Sequence, residues 1–348
     1  MNRHAKPALS MSARGLTLTE AVVAIGSAAV LLSVGTTVLA YKGGTSDSMY
    51  KLAEFGQAHA CYANDWNERQ WTALPDNAGA FADDCGSYTA TDGCPRMVLG
   101  FGSTGAVWGY FLNCGGLPGN CSTWARLRPM NFSVADRTVG AFRQSNVWGF
   151  REYVSKNYYS NEWFSADDPV YAAAAAQFNS PYEFASPVAG LPGGFAQSSF
   201  CLSPAAMLNP GVLRAKAEGG FQAPNAFIDS HRSPTVTQCM HPALKSRMTE
   251  YGWFRDAPSD GLAFNAGRES APFTLFFDGS VQATSMAQAE LDDAMVRAGN
   301  KFGDGLWSDD TTYGMDAWQD TKSVDGLRSG FHMLTTGGIL GRDLLTRE

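Results

Sequence analysis

Charge is thin in this chain. Only 17% of its 348 residues are Asp, Glu, Lys or Arg, and long charged stretches are absent. No cluster of basic side chains offers a nucleic-acid footprint, and the net charge of −7 comes from acids spread along the sequence. No internal repeat of fixed period points to a solenoid or propeller. A hydrophobic content of 45% excludes a disordered chain. No nucleophile, base or carboxylate pair stands at a spacing that names a reaction. Glycine and aromatic residues are plentiful, which suits a loop-rich, β-containing domain better than a helical bundle.

The longest gap in charge is the most informative. From residue 16 to residue 40 the only charged side chain is Glu20. As a helix those residues would run roughly 37 Å, enough to span a bilayer. A carboxylate inside such a segment costs on the order of 2.5–3.5 kcal/mol unless it finds a partner. The stretch before it holds Arg3, His4, Lys6 and Arg14 and no acid, a bias that keeps that end cytoplasmic. An ordinary secretory signal has a shorter apolar stretch followed by a small-residue cleavage site. Here the small residue, Gly15, comes first.

Arg14-Gly15, then Leu16-Thr17-Leu18-Thr19-Glu20 and the apolar run, resemble the class III signal of type IV pilins and type II secretion pseudopilins. In that family a peptidase cuts after the glycine, the new first residue is N-methylated, and a glutamate sits fifth. The resemblance places the cut between Gly15 and Leu16, with Leu16 where the family has Phe, and puts Glu20 fifth. It implies that Glu20 pairs on assembly with the amine of a neighbouring subunit's first residue. The implied partners are prepilin peptidase, other pilin or pseudopilin subunits, an inner-membrane assembly platform and membrane lipid, with no nucleic acid. The implied location is the bacterial inner membrane, single-pass, N-terminus cytoplasmic and C-terminal domain exported, and later a periplasmic or surface fibre.

The expected fold class is α+β. A long N-terminal membrane-spanning helix packs on a globular domain with a C-terminal antiparallel sheet, and the middle is enlarged and loop-rich. In numbers, 1–15 is the leader, 16–64 the helix (16–40 transmembrane) and 65–348 the exported domain. Within that domain 85–250 reads as an insertion and 261–284 as the sheet core. Met49, Leu52, Ala53, Gly56 and Ala60 recur at helical spacing and predict a packing face on a helix over 45–64. Helices are also expected at 147–159, 171–178 and 242–250. Strands are expected at 261–266 and 272–284. Asp278-Gly279 between apolar strand residues predicts a hairpin with a type I′ turn. That segment is similar to the end of large prepilin-like proteins, which run an apolar strand into Asp-Gly-Ser-Val with a histidine ten residues before the Asp. Here Arg268 replaces it. Tyr62-Ala63-Asn64-Asp65 and the stretch from Cys239 to Met248 share that likeness.

Seven cysteines lie beyond the apolar run. Nearness in sequence suggests Cys85 with Cys94, Cys114 with Cys121 and Cys201 with Cys239, leaving Cys61; the sequence does not fix the connectivity. Gly100–Gly105 fits G-x-G-x-x-G but lacks the acid about 20 residues on that a dinucleotide site needs, so it reads as a turn. His231, Cys239 and His241 are spaced too tightly for a usual zinc site. Asp304, Asp309, Asp310, Asp316 and Asp320 cluster in a Gly-rich stretch, which suits calcium or a solvated acidic loop. No other cofactor is expected.

The sequence thus points to a non-enzymatic fibre subunit. The alternative is an exported hydrolase or carbohydrate-binding domain on a pilin-like anchor, supported by the aromatic-rich middle.

Overall fold

The computed structural model describes residues 46–72, 145–168, 170–178, 198–222, 227–250, 270–311 and 330–347, with the backbone of four short strands between 96 and 139. The chain divides into two units, Met1–Gly43 and Gly44–Glu348, and the described residues belong to the second.

In chain order the elements are helix α1 (Ser46–Asp65), strands β1 (Arg96–Phe101), β2 (Val107–Phe111), β3 (Phe132–Ser133) and β4 (Thr138–Val139), and short helices α2 (Trp148–Arg151) and α3 (Tyr171–Ala175). There follow β5 (Phe200–Leu202), α4 (Pro204–Met207), β6 (Ser246–Glu250), β7 (Phe273–Phe276), β8 (Val281–Ala283) and α5 (Met286–Gly299). Two hairpins, β1–β2 and β3–β4, stand apart from a four-stranded antiparallel sheet of order β5-β6-β7-β8. The Gly100–Gly105 segment therefore leads from one antiparallel strand toward another, not from a strand into a helix, which removes the dinucleotide reading.

Helix α1 lies against β6, β7 and β8. Its buried face is centred on Leu52, Phe55 and His59, and Ala60 points outward. Phe55 explains the rotation: its ring sits 5.2 Å from Trp163 and 5.3 Å from Phe200, and an aromatic outweighs an alanine in buried area. His59 packs its ring 4.4 Å from that of Phe150, tilted by 34°, while Cys61 is exposed. Lys51 is buried but satisfied, by Asp47 at 2.6 Å and the carbonyl of Phe164 at 2.8 Å.

Gly56 sets how near α1 comes to the sheet. A Cβ built there would lie 3.2 Å from Leu275 Cδ1. Gly56→Val is accordingly expected to cost about 1–3 kcal/mol by overpacking, read as a lower urea midpoint at unchanged slope. Strand β7 is buried on both faces. Leu275 meets α1, and Phe276, pointing the opposite way, lies under the Arg347 guanidinium at 4.2 Å.

The β7–β8 hairpin forms where expected, but with a different turn. Leu275 pairs with Val281, Phe276 N donates to Ser280 O, and Gly279 N donates to Phe276 O. Only Gly279 has positive φ, at 84°. This is a type I turn closed by a left-handed glycine, not a type I′ turn. The helix expected over 242–250 is instead a turn at 242–244 followed by β6, and α5 is a helix the sequence reading missed. Of the helices expected at 147–159 and 171–178, only α2 and α3 are helical.

Two expectations are corrected. Among the described residues no helix is long and apolar enough to cross a membrane. The helix that packs on the sheet, α1, carries Asp47, Lys51, Glu54 and Asp65 and is amphipathic. The long membrane-spanning helix of the expected fold class, and with it the single-pass inner-membrane placement, is not borne out. The segment 16–40, with Leu16 and Glu20, and Gly15 before it lie outside the described residues. What the structure has is an α+β arrangement of helices with a four-stranded antiparallel sheet. Second, no bridge joins Cys201 to Cys239. Cys201 is in register with Thr249, while Cys239 has its electrostatic neighbours at the Lys245 end of β6. Four residues of strand span about 13 Å, against a Cα separation of about 4.4–6.8 Å in disulfides. Cys85, Cys94, Cys114 and Cys121 lie outside the described residues, as do Arg268 and the 261–266 strand.

Candidate functional site

Just before β6 the chain turns through residues 241–244, and Lys245 N donates to His241 O at 2.8 Å. The C-terminal segment runs alongside, Asp343 N donating to Leu244 O at 2.8 Å. These two backbone bonds place one cation and one anion face to face inside the protein. Lys245 Nζ lies 2.9 Å from Asp343 Oδ2, and both side chains are 0% exposed.

Hydroxyl groups complete the cluster. Lys245 Nζ also donates to Thr335 Oγ1 at 2.8 Å and to Ser203 Oγ at 3.1 Å. Asp343 Oδ2 accepts from Ser246 N at 2.9 Å and from Ser246 Oγ, and Oδ1 accepts from Thr335 Oγ1. Ser203 caps α4, accepting from Ala206 N at 3.3 Å, and gives its own proton to His332 O at 2.6 Å. Burial pushes the Asp343 carboxyl up, but the Lys245 charge and the donors from Lys245, Ser246 and Thr335 outweigh it and hold it below the usual range. His332 sits beside the pair. Burial chiefly drives its imidazole down to about 3, so it stays neutral.

A serine 3.1 Å from a lysine invites comparison with a nucleophile and base. The arrangement argues otherwise. The lysine nitrogen is engaged by Asp343 and Thr335, the serine proton is spent on a backbone carbonyl, and neither side chain reaches solvent. A buried ion pair of this kind costs desolvation, and its Coulomb attraction is repaid only when the remaining donors and acceptors are met, as they are here.

The described part of the acidic loop is tied down by protein donors. Asp304 takes Lys216 N on both oxygens at 3.1 Å. Asp309 pairs with Lys216 at 2.6 Å and Arg297 at 2.8 Å. Burial raises Asp309, but the Lys216 hydrogen bond and the charges of Arg297 and Lys216 prevail, so it stays below the usual carboxylate range. Asp310 accepts from Phe221 N at 3.0 Å and Ser308 Oγ at 2.6 Å. Among the described residues no three His, Cys, Asp or Glu side chains converge on a metal position. Asp316 and Asp320 lie outside the described residues. The acids thus strap residues 303–311 onto residues 216–221.

Sequence reasoning missed the Lys245–Asp343 cluster. Its charged members are 98 residues apart, and no linear spacing relates them. Comparison with protein-family models, with curated proteins and with solved structures found no match.

Proposed function

We propose that the chain is a structural subunit of a type IV pilus-like or type II secretion pseudopilus fibre. Prepilin peptidase cuts between Gly15 and Leu16, and Leu16 is N-methylated. Glu20 then meets the amine of a neighbouring pilin or pseudopilin subunit on the assembly platform. Before cutting, Leu16 has no free amine, so processing switches assembly on.

The observation that carries this reading is the spacing of Gly15 and Glu20 ahead of a long apolar run. The packing of α1 on an antiparallel sheet agrees with what the resemblance implies for the second half of a pilin helix. Mass spectrometry of the mature N-terminus tests it. N-methyl-leucine at position 16 is expected, and Gly15→Val is expected to leave the precursor uncut because the peptidase must fit a small residue there. Met1 retained on the protein isolated from its own cells would refute the reading.

A further inference from the structure

We propose that Arg247 holds a small oxyanion through the Nε–Nη2 edge of its guanidinium, in a site it shares with His59. The proposal is independent of the fibre reading. Three observations carry it. First, Arg247 is re-aimed by a bulge. Ser246 is in register with Phe276 and Met248 with Leu275, so β6 advances two residues where β7 advances one, and Arg247 has no partner on β7. Such an extra residue turns its side chain out of the regular pleat. Second, the side chain is enclosed without a counter-ion. Arg247 is 7% exposed, and among the described residues no carboxylate pairs with it. Burial pulls the guanidinium down to about 9, with Cys239 opposing, so it remains a cation at neutral pH. An unpaired buried cation is strongly unfavourable, and a bound anion relieves it. Third, the donors left unmet are the two that form a fork.

Arg247 Nε and Nη2 are both buried, and neither has a hydrogen-bond partner among the described residues. These atoms flank one edge of the planar group. Their N–H bonds point the same way, at the spacing of two oxygens on one carboxylate or phosphate. The face of the group is already taken, by the Phe277 ring 5.1 Å from Cζ. The edge is not. His59, from α1, extends the set. It is 2% exposed, neither ring nitrogen has a partner among the described residues, and the Arg247 charge reaches it. A neutral imidazole adds one N–H donor. Cys239, which Arg247 also senses, is only half-buried, so the site is close to solvent. The donor set selects the ligand. A carbonyl group would leave the charge uncompensated, and chloride would offer a single atom to two donors. An oxyanion offsets the charge and fills both arms of the fork.

The test is calorimetric titration of the full chain, dialysed into chloride, with inorganic phosphate and separately with acetate at constant ionic strength. Saturable binding of a single anion per chain is expected, and the tighter of the two assigns the ligand as tetrahedral or as a carboxylate. Arg247→Met is expected to abolish binding and still fold, because an apolar side chain of similar length removes the unpaired charge. Arg247→Lys keeps the charge but not the fork. It is expected to bind about tenfold more weakly, the loss of one charge-assisted hydrogen bond. Wild-type affinity in Arg247→Met would overturn the proposal, as would no saturable binding of either anion to the wild-type chain at millimolar concentration. Unchanged affinity in Arg247→Lys would overturn the bidentate fork.

Discussion

Asp343→Ala is expected to lower the free energy of unfolding by about 3–5 kcal/mol. The loss comes less from a missing attraction than from what is stranded. Lys245 Nζ stays inside the protein with only Ser203 and Thr335 hydroxyls around it. Ser246 loses the acceptor for both its amide and its hydroxyl. Urea denaturation reads the effect as a fall in midpoint, provided the slope is unchanged. Adding Lys245→Met to Asp343→Ala removes the stranded charge and is expected to recover part of the loss, since a buried cation without its partner costs more than an apolar side chain of similar length. A double variant no more stable than Asp343→Ala alone would show that the ammonium is not the source.

Stability is expected to fall steeply between pH 6.5 and about 3. His332 is neutral in the folded chain down to about 3, against an ordinary value of 6.5. Above 6.5 the imidazole is neutral in both states and pH makes no difference. Below 6.5 the unfolded chain takes up a proton that the folded chain refuses, so stability drops until folded His332 protonates too. At about 1.4 kcal/mol per unit, the full effect is on the order of 4–5 kcal/mol. His59 acts in the same direction, lowered by burial first and by the Arg247 charge second. Asp343 adds a loss at lower pH. Its depressed value gives stability that is present above the ordinary carboxylate range and disappears as pH falls through its folded value. Replacing His59 with Leu and His332 with Asn is expected to flatten the profile between pH 4.5 and 6.5. Asn tolerates the left-handed φ of 52° at position 332. Equal wild-type denaturation midpoints at pH 7 and pH 4.5 would refute the neutral buried imidazoles.

What the sequence made legible was local. The α1 helix follows from its 3.6-residue periodicity, and the β7–β8 hairpin from Asp278-Gly279. Periodicity alone did not find the centre of the α1 face, because Phe55 and His59 are placed by the rings of Trp163, Phe200 and Phe150, which arrive from far along the chain. Strand β6 lies within the 242–250 segment that was expected to be helical. It is a strand because β5 and β7 flank it and satisfy its backbone. Helix α5 had a legible start, Ser285 capping Gln288 N at 3.3 Å, that the hairpin before it obscured. The proposed Cys201–Cys239 bridge and the unseen Lys245–Asp343 pair fail for one reason. Nearness along the chain does not order strands in a sheet, so residues 38 apart can stay separate while residues 98 apart touch.

That last separation has a consequence for how the molecule is made. A ribosome adding about 5–20 residues per second delivers Asp343 on the order of 5–20 s after Lys245. Through that interval β6, β7, β8 and α5 emerge in turn, yet the lysine at the mouth of β6 has no counter-ion. Docking of residues 330–347 brings that counter-ion to Lys245, and vectorial synthesis orders it after every strand is out.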